Sequence, residues 1–226
     1  MNSFKLDRQF FDVPCYNLAN FLLGKLIVRS LDDGVVLKSR IVETECYLGG
    51  EDKASHSYQG RKTPGNEPMF MQPGTAYVYI TYGMYYCFNI SSSEPGAAVL
   101  LRALEPVEGI SRMKELRSMK SKKRKTEQNT ELKESELCNG PSKLCMSMNI
   151  EKDNCNKLDL CENHSLWIEM DPNFKEDFKT VVTSRIGIDS AGEEWAKKPL
   201  RFYILGNCNV SRRDRKSENV LNSDNG

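Results

Sequence analysis

KLIVRSLDDGVVLKSRIVETECYL, residues 25–48, is the stretch whose reading decides the fold class. Two apolar, β-branched runs, 25–31 and 35–48, flank Asp32-Asp33-Gly34, residues that suit a tight turn. The pattern predicts a β-hairpin with one long arm. If 40–48 is a strand, Ile41, Glu43, Glu45 and Tyr47 point one way and Val42, Thr44, Cys46 and Leu48 the other. A carboxylate then stands beside an aromatic ring, as in a site that stacks a flat ligand and activates water. A solvent-facing strand edge would show the same alternation.

Working outward, 17–23 reads as a short helix stopped at Gly24. Residues 49–74, rich in Gly, Pro, Lys and polar groups, read as a long functional loop carrying His56 and Arg61, because strands resume directly after it. AYVYITYGMYYCFNIS, 76–91, reads as two aromatic-rich strands turning at Gly83 with Tyr82 near the tip. The favoured register has a three-residue loop, 83–85, which sets Tyr79 opposite Asn89 on one face.

AAVLLRAL, 97–104, reads as a buried strand broken by one charge, Arg102. Beyond it Val107, Ile110, Met113 and Leu116 recur at helical spacing, with Pro106 suited to a first helical turn. Residues 120–136, KSKKRKTEQNTELKESE, have almost no apolar side chains and read as a disordered or frayed insert, bounded at about 118–136. Asn139-Gly140-Pro141-Ser142-Lys143 opens a helix carrying Leu144, Met146 and Met148, whose first N–H groups with Ser142 and Lys143 suit a phosphate. A short helix over 190–197, a closing strand over 200–205 and a flexible tail over 215–226 are expected.

The 226 residues suffice for one domain with a full core, expected over 1–214. A formal net charge of +1 advertises no nucleic-acid partner, so any such partner must be met by local patches. The eight cysteines contain no CxxC pair, and with only His56 and His164 besides, zinc spacing is absent. Reduced thiols in a reducing compartment, no secretion signal and no membrane span are the expectations.

With VETECYLGGEDKASH, YVYITYGMYYCFN, VLLRALEP, CNGPSKLC and KPLRFY in this order, the chain resembles the alkyladenine (methylpurine) DNA glycosylase family from about residue 10 to 214. The resemblance implies a single mixed α/β domain: a curved, open-barrel-like antiparallel sheet surrounded by helices, with a protruding β-hairpin that enters the DNA minor groove. It implies no metal and no organic cofactor, and a monomer acting on double-stranded DNA that contains damaged purines. The implied reaction flips alkylated or deaminated purines (3-methyladenine, 7-methylguanine, hypoxanthine, ethenoadenine) out of the duplex and hydrolyses the N-glycosidic bond. It leaves an abasic site, as a step of base-excision repair.

Carried over by motif, Glu45 is the expected catalytic base for the attacking water and Arg102 the expected holder of that water and the flipped nucleotide. Tyr47, His56 and Tyr79 match the aromatic walls of the base pocket, and Asn89 the residue that clashes with the amino group of guanine. Tyr82 matches the wedge that fills the gap in the duplex, with Met84 and Tyr85 alongside. Arg61, Thr63, Ser142 and Lys143 fall in stretches that meet the DNA backbone. Taken singly, most of these would read otherwise: Glu45 as a solvent-facing strand residue, the tyrosines as core, Asn89 as a cap for strand ends, Arg102 as half of a structural salt bridge.

Gly65 follows Pro64 where the family usually has arginine, which weakens one expected phosphate contact, and Cys46 stands where alanine is common. No lysine sits where the family uses a nucleophile, so hydrolysis without strand cleavage is expected. The competing readings are a non-catalytic nucleic-acid-binding module on the same scaffold and a small-molecule nucleoside hydrolase. Glu45 with Arg102 argues against the first, and Tyr82 with the basic loop against the second. The basic run KSKKRK, 120–125, and the overall fit lean towards a nuclear location.

Overall fold

The computed structural model describes residues 4–121, 132–175 and 177–223. Strands β1 (Leu26–Ser30) and β2 (Val36–Tyr47) form the predicted antiparallel hairpin, from Leu26 opposite Arg40 to Ser30 opposite Val36. Its turn satisfies its own backbone: Val35 N–H donates to the Asp33 carboxylate at 3.1 Å and Gly34 N–H to Leu31 O at 2.9 Å. Ahead of it lie α1 (Arg8–Phe11) and α2 (Cys15–Phe21), the latter two residues earlier than the predicted 17–23.

Strands β3 (Ala76–Thr81), β4 (Tyr85–Ser91), β5 (Ala98–Glu108) and β6 (Leu166–Glu169) extend the sheet in the order β3-β4-β5-β2-β1-β6, every neighbour antiparallel. On the edge of β2 that β1 leaves free, β8 (Arg201–Ile204) pairs with Glu43, Thr44 and Glu45, and β7 (Thr180–Thr183) pairs with β8. The sheet stays open, with β3 and β6 at the ends of that path. Strand β2 is thus shared by three partners, and its last third is held on both edges.

Side chains of Leu18 and Leu22 from α2, Met113 from α3 (Ile110–Ser121) and Leu144 from α4 (Pro141–Ser147) enter one apolar core with Ile27, Leu37, Val42, Phe88, Leu101 and Phe202 from the sheet. Each is fully buried, worth about 1.5–3 kcal/mol for a large apolar side chain. Helices α5 (Lys152–Cys155) and α6 (Glu193–Lys197) are single turns, and Trp195 of α6 joins the core. No helix among the described residues is long and apolar enough to cross a membrane.

Five expectations need correction. First, the β3–β4 loop is three residues long but spans 82–84, so Tyr77 faces Asn89, Tyr79 faces Cys87 and Thr81 faces Tyr85. Tyr82 (φ 51°) and Gly83 (φ 67°) both adopt the left-handed conformation, and Met84 N–H closes onto Thr81 O at 3.2 Å. The slip is two residues, so Tyr79 and Asn89 still share a face. Second, β2 does not alternate throughout: Ile41 and Val42 both enter the core, because the β2–β5 ladder shifts register between Ile41 and Glu43.

Third, Pro106 and Val107 belong to β5, not to a helix. Strand β4 reaches β5 only at Ala98, Val99 and Leu100, so the missing N–H of Pro106 costs no ladder bond there. The chain turns at Gly109 (φ 79°), where an added Cβ would lie 2.5 Å from Leu37 Cδ2, and α3 starts only after it. Fourth, the short helix expected over 190–197 divides into a 3-10 turn, Asp189–Ala191, and α6.

Fifth, the tail expected from residue 215 begins as a helix, α7 (Arg215–Ser223). Asp214 caps it by accepting from Lys216 and Ser217 N–H, and buried Glu218 accepts from Tyr203 Oη at 3.0 Å and Arg213 Nε at 2.7 Å. The polar insert expected at about 118–136 carries the end of α3 and a 3-10 turn at Glu134–Glu136, and its residues 122–131 lie outside the described ones.

Candidate active site

Alternation resumes beyond the register shift, and it carries Glu43, Glu45 and Tyr47 to one face of β2 while Thr44 and Cys46 turn to the other. The Cys46 thiol meets Cys15 with its sulfur 2.8 Å away, and burial pushes its pKa far up. The opposite strand shifts register too. Glu43 pairs with Ala103 and Thr44 with Leu101, so Arg102 is the skipped residue. A bulge of this kind re-aims a side chain, and the Arg102 guanidinium turns to both carboxylates, Nη1 3.2 Å from Glu45 and Nε 3.4 Å from Glu43.

Both carboxylates are fully buried and accept hydrogen bonds on both oxygens. Glu45 Oε2 accepts from Tyr47 Oη at 3.0 Å, and its Oε1 from Arg102 and from Ile186 N–H at 2.8 Å. Glu43 accepts from Arg201 Nη1 at 2.7 Å and Ser211 N–H at 2.6 Å. Burial pulls the Arg102 pKa down, but Glu45 and Glu43 outweigh it and hold the guanidinium above its usual value. Burial and the Glu45 charge drive the Tyr47 phenol well up, which keeps it a protonated donor.

Against this layer lies a cavity of about 370 Å³ lined by Tyr47, His56, Tyr77, Tyr79, Asn89 and Arg102, with Tyr82, Ser142 and Ile186 at its margins. Its volume falls in the range of small-molecule sites. The His56 ring stands edge-on to Tyr79 at 4.6 Å, and its Nδ1 shares a hydrogen bond with Tyr77 Oη at 2.7 Å. Although His56 is open to the cavity, the packed rings strip water from the imidazole and lower its pKa, favouring the neutral form. Asn89 donates to Tyr77 O at 3.2 Å, which pins its amide to the wall.

A sequence profile described as Methylpurine-DNA glycosylase (MPG) matches residues 9–208. The chain belongs to that family. As a member it is a DNA glycosylase, and base-excision repair is the process it serves. The human DNA-3-methyladenine glycosylase is 50% identical over 214 residues, covering 95% of this chain and 70% of the human one. The mouse protein of the same name is 50% identical over 220 residues, covering 97% of this chain and 65% of its own. The chain thus spans about two thirds of those mammalian relatives, whereas a Clostridium tetani relative, 45% identical, is covered over 100% of its length.

The other residues singled out from sequence lie outside the lining of this cavity. Met84 is exposed at the hairpin tip and Tyr85 half-buried below it. Arg61 is exposed on the 49–74 loop, and Thr63 donates to Asn66 Oδ1, while the Asn66 amide donates to His56 O and Arg61 O at 2.9 Å. Lys143 Nζ bonds Asn139 Oδ1 at 2.7 Å in the first turn of α4. Sequence reading missed Tyr77, although the YVY alternation puts it on the Tyr79 face, and it missed Asp52, Arg185 and Ile186, for which no local pattern speaks.

Proposed function

We propose that this glycosylase hydrolyses the N-glycosidic bond of a damaged purine turned out of duplex DNA, with Glu45 activating the attacking water. The carrying observation is the Glu45 carboxylate directly behind the cavity lining, held on one oxygen by Tyr47 and on the other by Arg102 and the Ile186 amide, three residues that line the cavity. Loss of the base leaves an oxocarbenium-like sugar, which a fixed carboxylate stabilises while it takes a proton from water. Arg102 holds the water and the nucleotide. No lysine serves as nucleophile, so the product is an abasic site in an unbroken strand.

The extruded base lies among Tyr47, His56 and Tyr79, where stacking contributes about 1–3 kcal/mol and the positive charge of an alkylated purine adds cation–π attraction. Asn89 discriminates against the guanine amino group. Substrates are 3-methyladenine, 7-methylguanine, hypoxanthine and ethenoadenine, lesions whose extrusion costs less than that of a normal paired base.

Tyr82, 88% exposed, fills the stack from the minor groove with Met84 and Tyr85 beside it, a device that suits a hairpin tip. Arg61, Thr63, Ser142 and Lys143 hold phosphates and set register without reading sequence. The protein acts as a monomer in the nucleus, with KSKKRK as the address. The deciding experiment is base release from duplexes carrying each lesion. Release by wild type and release slowed by about 10²–10⁴-fold in Glu45→Gln, with lesion binding retained, is the expected result; equal release by both proteins rejects Glu45 as the base.

A further inference from the structure

We propose that Arg185 is the positioning residue of this active site, the group that fixes Tyr47 and through it Glu45. This rests on the hydrolytic reading of the site. Arg185 follows β7 and touches three walls at once. Its Nη1 and Nη2 form a bidentate pair with Asp52 at 2.5 and 2.9 Å, and Nη1 also donates to Cys46 O at 3.0 Å. Its guanidinium carbon stands 4.6 Å over the Tyr47 ring. The next residue, Ile186, donates its N–H to Glu45.

Asp52 in turn accepts from Leu48 and Ala54 N–H, so the pair ties the end of β2 to the loop that carries His56 four residues on. One guanidinium therefore sets the orientation of the Tyr47 ring, the peptide between Glu45 and Tyr47, and the approach of the 49–74 loop. Both side chains of the pair are completely buried, and Arg185 Nε–H finds no acceptor among the described residues. A buried ion pair with an orphaned donor is a poor way to add stability. It is a good way to hold a planar group in one orientation, because the fork admits a single geometry.

The wider surroundings leave Arg185 this role. Glu43, the buried acid two residues before Glu45 on β2, is already matched by Arg201 and Arg102. Lysine at 185 would keep the charge and lose the fork and the stacking plane.

The test is single-turnover release of hypoxanthine from a duplex, with affinity for the same duplex measured separately, for Arg185→Lys, Tyr47→Phe and the double variant. Arg185→Lys is expected to bind the lesion as wild type does and to release base about 10- to 100-fold more slowly, the scale of an ångström-level misplacement. Because Arg185 acts through Tyr47, the double variant should be no slower than the slower single one. Multiplying losses, or an unchanged rate in Arg185→Lys, overturns the proposal. Asp52→Asn, which keeps one of the two oxygens that accept backbone N–H groups, should repeat the slow release and the non-additivity with Tyr47→Phe, and it carries the test if the lysine variant does not fold. Absence of release by wild type would instead reject the hydrolytic reading.

Discussion

The end of β2 and the tip of the β3–β4 hairpin belong to one sheet, yet they are built oppositely. At the end of β2, Glu43 and Glu45 are fully buried, and their oxygens meet arginines, a tyrosine and backbone amides. At the tip, Ile80, Tyr82 and Met84 are exposed, and Tyr82 sits in a left-handed conformation that bulky residues avoid. Charge is hidden where apolar groups belong, and apolar surface is shown where polar groups belong. Each inversion costs stability, and each suits one half of the function proposed above, in which fixed charge serves the chemistry and an apolar projection handles the duplex.

The contrast can be broken from either side. The largest effect is expected from Glu45→Gln, which should lower base release by about 10²–10⁴-fold in a single-turnover assay and leave lesion binding near wild type. Next, Arg201→Met leaves Glu43 short of its closest cation, and chemical denaturation should show a loss of about 3–5 kcal/mol. A loss under about 1 kcal/mol would mean that Arg102 and Ser211 suffice for that carboxylate.

On the other side, Tyr82→Ala should leave folding stability within about 0.5 kcal/mol while weakening damaged-duplex binding by about 1–3 kcal/mol. Its affinity for a free nucleoside should not change; equal losses on both ligands would reject the wedge. The smallest effect concerns His56. Its folded pKa lies below the ordinary 6.5, so on acidification the unfolded chain takes up the proton first and stability falls as pH drops below about 6.5. Denaturation midpoints across that range should slope less in His56→Gln than in wild type.

Much of this arrangement was legible in the chain. Two-residue periodicity and a turn tripeptide were enough for β1 and β2, because both faces of a hairpin write themselves locally. The motifs carried Tyr47, His56, Tyr79, Asn89 and Arg102, which line one cavity, and Glu45, which is hydrogen-bonded to Tyr47 and Arg102 behind that lining. What stayed hidden depends on pairing across long separations. Nothing near residue 185 signals that Asp52, 133 positions away, will meet it. Pro106 looked like a helix start because sequence does not reveal that β4 stops short of it. The helix α7 was unreadable for the same reason: its anchor is Tyr203, buried in β8.

The paired register shifts of β2 and β5 make the site sensitive to chain length as well as to chemistry. Val42 and Arg102 offset one another, so the ladder on either side keeps a common count, Ile41 with Leu104 and Glu45 with Leu100. An in-frame deletion of either residue would leave the other uncompensated. The strand end would then slip by one, exchanging Glu45 and Tyr47 with Cys46 across the sheet. Losing a single codon here would turn the proposed active site inside out, although every residue proposed to act in it would still be encoded unless the codon lost were that of Arg102 itself.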